Sequence, residues 1–199
     1  LVNTAGKVVY MKFVDGNFVR VNGPGDIKIN GKYGFFGTDE DGNKIDGYVI
    51  ESDVDFSGIS ITMADDFTGV IYGNDHTLSN LTLSLTSKKV NTDTEKSIAL
   101  FSNLNDSTIS DLTFENAVIS AQVSEGMSIK AALLALSAKN VSLSNVHVVG
   151  LTINSGNGDV AGGKYSFGDL FLSSSGIKME GCTGEGLVAN VLNPSAIRL

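Results

Sequence analysis

The side chains that could do chemistry in this chain are scattered carboxylates, two histidines, one cysteine and a short aromatic run. Asp39-Glu40-Asp41-Gly42-Asn43 gathers oxygen ligands, but lacks the twelve-residue spacing and terminal Glu of a calcium loop, and Asp41-Gly42 reads as a turn. His76 and His147 stand too far apart to form a zinc set, and His76 is expected to bond a turn or face outward. Cys182 lies in a strand-like run with Ile177 and Met179 and reads as a small core residue. Tyr33, Phe35 and Phe36 are the weak candidates for a ligand site, as a sugar-stacking platform, against the plainer role of packing a cap. The sequence thus assigns no catalytic residue, no metal and no cofactor.

These groups sit in a chain of 199 residues, 42% of them hydrophobic, enough for one large domain with a substantial core. Acidic residues outnumber basic ones 22 to 14 and the basic ones are dispersed, which argues against a nucleic-acid partner. No apolar run approaches the roughly 18 to 20 residues of a membrane span. The start at Leu1-Val2-Asn3-Thr4 reads as a trimmed chain or a mature fragment.

What must position the side chains is a repeat. Leu78-Ser79-Asn80-Leu81-Thr82-Leu83 recurs as Ile109-Ser110-Asp111-Leu112-Thr113-Phe114 and as Leu143-Ser144-Asn145-Val146-His147-Val148. A degraded fourth copy is Met179-Glu180-Gly181-Cys182, where Gly184 replaces the last apolar residue. Second apolar runs fall between copies, at Ile98–Phe101, Ala132–Leu136, Leu170–Leu172 and Leu187–Ala189. Third runs follow at Val118-Ile119 and Leu151–Ile153. Each period is read as about three short strands separated by polar turns. Leucine-rich repeats share the kernel, but have shorter periods and helical returns that nothing here supplies. The expected fold is all-β: a right-handed parallel β-helix (β-solenoid) with insertions at Thr86–Lys96, Ser120–Lys130 and Asn154–Lys164. Leu78, Ile109, Leu143 and Met179 should share one interior column. Asn80, Asp111 and Asn145, at one repeat position, should make turn or ladder hydrogen bonds.

Residues 1–47 are read as an N-terminal hairpin and capping segment, and 48–199 as about four coils of β-helix. The hairpin pairs Val8–Val14 with Phe18–Val21 across Asp15-Gly16-Asn17. No cap is evident after Asn193-Pro194; either the last residues fold over the final coil or the native chain continues.

Phe67-Thr68-Gly69-Val70-Ile71-Tyr72-Gly73-Asn74-Asp75-His76-Thr77-Leu78-Ser79-Asn80-Leu81 resembles the repeat signature of bacterial surface and adhesin-like proteins with GLUG-type, pectate-lyase-like β-helices. Leu100-Phe101 mirrors their Gly-Leu-Phe element, with Ala99 in place of the glycine. The resemblance spans residues 50–190 and implies a secreted or surface-anchored bacterial protein. Its implied function is non-catalytic and adhesin-like, with a glycan or host-surface protein as partner. The alternatives are a polysaccharide-active enzyme of the pectate-lyase or polygalacturonase kind and a phage tail-spike component. Against the enzyme, Asn91-Thr92-Asp93 matches one polygalacturonase motif but falls in an insertion, and Asp65-Asp66 precedes it in the wrong order. His147 lacks flanking glycines, and no arginine lies between Arg20 and Arg198.

Overall fold

The computed structural model describes residues 16–87, 95–123, 127–155, 165–190 and 194–198. The chain is all-β, and its strands recur in order. The first stretch holds β1 (Phe18–Val21), a 3₁₀ turn (Pro24–Ile27), β2 (Lys28–Ile29), β3 (Lys32–Tyr33), β4 (Gly47–Ile50) and β5 (Val54–Asp55). Four laps follow. Lap one is β6 (Ala64–Phe67), β7 (Val70–Ser79), β8 (Thr82–Ser87) and β9 (Glu95–Ile98). Lap two is β10 (Phe101–Asn105), β11 (Thr108–Glu115), β12 (Val118–Val123) and β13 (Ser128–Ala132). Lap three is β14 (Ala135–Lys139), β15 (Ser142–Val149), β16 (Thr152–Ser155) and β17 (Tyr165–Gly168). Lap four is β18 (Phe171–Ser175), β19 (Lys178–Glu180), β20 (Thr183–Glu185), β21 (Val188–Asn190) and β22 (Pro194–Arg198).

Each lap contributes to the same four sheets. The sheets run β6-β10-β14-β18, β1-β4-β7-β11-β15-β19, β8-β12-β16-β21 and β9-β13-β17-β22, with β20 also on β15. All of this pairing is parallel, an arrangement compatible with a β-helix. The expected three strands per period are therefore four. Ile98-Ala99-Leu100-Phe101 reads as one apolar run, yet the chain turns at Ala99-Leu100, and all four residues are buried because both sides of this corner face the core.

The expected column needs one correction. Ile109 pairs with Leu143 and Leu143 with Met179, but Ile109 pairs on its other side with Ile71. Leu78 instead stands beside Phe114, which stands beside Val148. The kernel starting at Leu78 is thus the equivalent of the run from Phe114 to Ile119, half a motif further along. A kernel of apolar residues at i, i+3 and i+5 cannot distinguish the two frames, because each lap carries such a pattern on both sides of the corner.

Laps two to four each carry residues with positive φ at three positions, and these stack. One column is Asp106, Asn140 and Gly176; a second is Asp111, Asn145 and Gly181. Asn140 Nδ2 donates to Asp106 Oδ1 at 2.9 Å, and Asn145 Nδ2 to Asp111 Oδ1 at 2.8 Å. The third runs from Asn80 through Asn116 and Gly150 to Gly186, with Asn80 Nδ2 on Asp55 Oδ1 at 2.8 Å below it. The expected ladder thus joins Asp111 and Asn145, while Asn80 belongs to the neighbouring column. Asn, Asp and Gly are the residues that tolerate left-handed backbone, and here their amides also bond along the stack.

The expected hairpin's first strand, Val8–Val14, lies outside the described residues. Its second, Phe18–Val21, pairs in parallel with Gly47–Ile50 and extends the eight-stranded sheet. Val21, Ile27, Phe35 and Ile45 belong to the same core as the laps, so the capping segment and the laps share one interior. The 3₁₀ turn is the only helical element among the described residues, which leaves no helical return of the leucine-rich kind. Among the described residues no helix is long and apolar enough to cross a membrane.

Candidate functional site

The lap pattern breaks in the middle of β7. Ser110 and Leu112 of β11 are two residues apart, but their partners Tyr72 and His76 are four apart. The surplus is absorbed by Gly73-Asn74-Asp75, with Asn74 and Asp75 both at positive φ. A side chain at Gly73 is excluded, since its Cβ would lie 2.1 Å from the Asp111 carbonyl oxygen. Asn74 is held by its Nδ2, which donates to the Ile50 carbonyl at 2.8 Å. Irregular strands of this kind re-aim side chains.

Three groups lie around this irregularity. Tyr72, 42% exposed, is the most open aromatic ring among the described large hydrophobic side chains. His76, in register with the buried Leu112, turns half outward, and its Nδ1 sits 3.2 Å from Asp53 Oδ1. Asp53 Oδ1 also accepts the Thr77 backbone N–H at 2.9 Å. That N–H, and secondarily the imidazole, holds the Asp53 carboxyl below its ordinary range. Asp53 is largely exposed, so the pair orients the imidazole more than it stabilises the fold.

From this point a polar row runs outward along the sheet. Thr77, Thr113, His147 and Thr183 are successive register partners, one strand spacing apart (roughly 4.8 Å). His147 Nδ1 lies 2.7 Å from Thr183 Oγ1. A parallel row joins Tyr72 to Ser110, Ser144 and Glu180. Chemically, such a face offers one aromatic ring, two carboxylates, two imidazoles and aligned hydroxyls. These are groups for stacking and hydrogen bonding.

The aromatic candidates read from the sequence lie elsewhere. Phe35 is 2% exposed and faces Tyr48 edge-on at 5.1 Å, with Phe101 at 6.5 Å. Phe36 and Tyr33 pack partly buried against the same core, and Lys28 Nζ sits 5.2 Å above the Tyr33 ring. These positions give the rings the cap-packing role, and Phe35 offers no open face. The turn at Asp39–Asn43 is internally satisfied: Asp39 Oδ1 accepts the backbone N–H groups of Asp41 and Asn43 at 3.0 and 2.9 Å. Among the described residues no group of three or more His, Cys, Asp or Glu is placed to hold a metal. Asp66 accepts from Asn103 Nδ2 at 2.7 Å, while Asn91-Thr92-Asp93 lies outside the described residues. Cys182 is partly buried at the C-terminal end of the stack.

Tyr72 and the pairing of His76 with Asp53 escape a reading of the sequence that starts the first kernel at Leu78. Framed on Ile71, the two additional residues before His76 mark the irregularity. No family model, no curated protein and no solved structure matches the chain.

Proposed function

We propose that this chain is a right-handed parallel β-helix domain of a bacterial cell-surface or secreted protein. It acts without catalysis, holding a glycan or host-surface ligand against the outward face of its eight-stranded sheet. The hand follows from a general rule: parallel strands joined by a crossover adopt the right-handed connection in about 98% of cases. The observation that carries the binding role is the exposed Tyr72 beside the β7 insertion, on the same strand as His76 of the Asp53–His76 pair and at the head of a polar row. A tyrosine face stacks on the apolar side of a sugar ring while hydroxyls, imidazole and carboxylate meet its polar edge. The surface and bacterial setting rests on the resemblance of the Phe67–Leu81 stretch to adhesin-like repeats.

A glycan-array screen joined to a reducing-end assay on acidic polysaccharides tests the reading. Binding without new reducing ends, weakened about tenfold or more by Tyr72→Ala, is the expected result; the size corresponds to one stacked ring at about 1.4 kcal/mol. New reducing ends would instead establish the polysaccharide-active alternative, and a stable trimer would favour a tail-spike component.

A further inference from the structure

Two Asn-Gly pairs fall among the described residues, Asn22-Gly23 and Asn30-Gly31, and the fold treats them differently (Asn157-Gly158 lies outside those residues). In such a pair the main-chain nitrogen of the glycine can reach the side-chain amide before it, because glycine has no Cβ to crowd the approach. At the first pair both groups are engaged. Asn22 Nδ2 donates to Glu51 Oε2 at 3.0 Å, and the Gly23 N–H donates to Asp26 Oδ2 at 3.0 Å. The Asn22 N–H donates to the same Asp26 oxygen at 2.7 Å, so a carboxylate clamps this stretch of main chain.

At the second pair neither group is engaged. Asn30 and Gly31 form the two-residue loop of the β2–β3 hairpin, between the paired Ile29 and Lys32, with φ of 50° and 78°. Both are exposed. Among the described residues, neither the Asn30 side-chain amide nor the Gly31 N–H has a hydrogen-bond partner. The side-chain bond made here runs instead from the Asn30 N–H to Glu40 Oε1, at 3.0 Å. A Cβ at Gly31 would meet nothing within 4 Å, so the loop tip is uncrowded. A two-stranded hairpin is marginal by itself, and local opening at its tip lets the Asn30 main chain rotate until Gly31 N meets Cγ.

We propose that Asn30 is a self-modification site, at which this chain converts an amide to aspartate and isoaspartate through a cyclic imide with Gly31. Hydroxide from solvent takes the Gly31 N–H proton, Gly31 N bonds to Asn30 Cγ, and the Cγ–Nδ2 bond breaks, with Nδ2 leaving as ammonia. Water then opens the imide at either carbonyl. One opening gives aspartate; the other gives isoaspartate, whose main chain runs through Cγ. The net change is one water taken up and one ammonia released, with no oxidation or reduction. Isoaspartate lengthens the loop by one backbone atom, and either product sets a carboxylate beside Glu40, so the hairpin of the capping segment loosens.

Peptide mapping by mass spectrometry on the whole chain, held folded at mildly alkaline pH, follows the two pairs side by side. Asn30 should convert about tenfold or more faster than Asn22, equivalent to about 1.4 kcal/mol of protection from the bonds to Asp26 and Glu51. In the urea-unfolded chain the two rates should converge, because the clamp on Asn22-Gly23 is gone. Conversion at Asn22 that matches or leads Asn30 in the folded chain overturns the inference, as does a folded Asn30 that stays intact while the unfolded chain converts there. A tenfold ratio that persists in urea overturns it too, since the neighbouring sequence and not the fold would then set the rates.

Discussion

At the N-terminal end of the stack four rings close the interior. Phe35 meets Tyr48, Tyr48 meets Phe67 at 6.0 Å, and Phe67 meets Phe101 at 5.2 Å. The Tyr48 hydroxyl donates to the Phe36 carbonyl at 2.7 Å, and burial pushes its pKa far above the ordinary phenol value. At the C-terminal end the equivalent space is bordered by Met179, Leu187 and Val188, all substantially exposed. Both ends continue the same columns and sheets, so the difference lies in what sits on top. Inward alternation alone does not bury a side chain in a stacked fold; the next lap does. The last lap accordingly supplies edges and apolar surface, whereas the first stretch supplies a lid.

Four experiments would break or sharpen this contrast. The largest effect is expected for Phe67→Ala, which removes the ring between Tyr48 and Phe101 and should cost about 3–5 kcal/mol in urea unfolding. A loss under about 1 kcal/mol would mean that the aromatic lid is not packed as described. Next comes a matched pair in one column: Leu143→Ala should cost about 2–5 kcal/mol and Met179→Ala about 1 kcal/mol or less. Equal losses would remove the distinction between covered and open laps.

Gly73→Ala and Gly184→Ala form a second pair. The first drives a methyl into the Asp111 carbonyl and should cost about 1–3 kcal/mol, whereas the second meets nothing within 4 Å and should stay within about 0.5 kcal/mol of the parent. Thermal melts of the two side by side decide it.

The smallest effect is acid sensitivity of the capping side. Asp39, Asp46 and Asp55 are held below the ordinary carboxylate range, chiefly by the Asn43 backbone N–H, by Lys44 and by the Asn80 amide respectively, as Asp53 is by Thr77. A lowered folded-state pKa contributes stability that is fully present above the unfolded value, about 4, and is lost as pH falls through the folded one. Amide signals of residues 39–55 should therefore begin to broaden below about pH 4. Loss of the last lap's signals before theirs would contradict this.

Much of the architecture was legible in the sequence, for a physical reason. The repeated kernel records alternation within a strand, and the Asn, Asp and Gly residues record corners that require positive φ. Both are local signals. The frame was not legible at Leu78, since the spacing of Leu78, Leu81 and Leu83 equals that of Ile109, Leu112 and Phe114, and only pairing between laps separates them. The fourth strand was hidden at Ile98–Phe101, where a buried corner reads as an unbroken apolar run. Of the candidate face, His76 was expected to bond a turn or face outward, and it turns half outward with its Nδ1 beside the exposed Asp53 carboxylate. Tyr72 looked like one more strand residue, and it faces outward by ordinary alternation after the buried Ile71, opposite Ser110. Phe35 and Phe36 looked available because aromatics between glycines resemble a loop, but glycine there permits close approach to the core: a Cβ on Gly34 would lie 2.6 Å from the Thr62 carbonyl oxygen.

The register of the laps is the claim on which the ladders, the candidate face and the open end all rest. Methyl-to-methyl cross-relaxation in a chain labelled at Ile, Leu and Val tests it directly. The account predicts contacts from Ile71 to Ile109 and from Ile109 to Leu143, with none between Leu78 and Ile109. A Leu78–Ile109 contact in place of the Ile71–Ile109 one would contradict it.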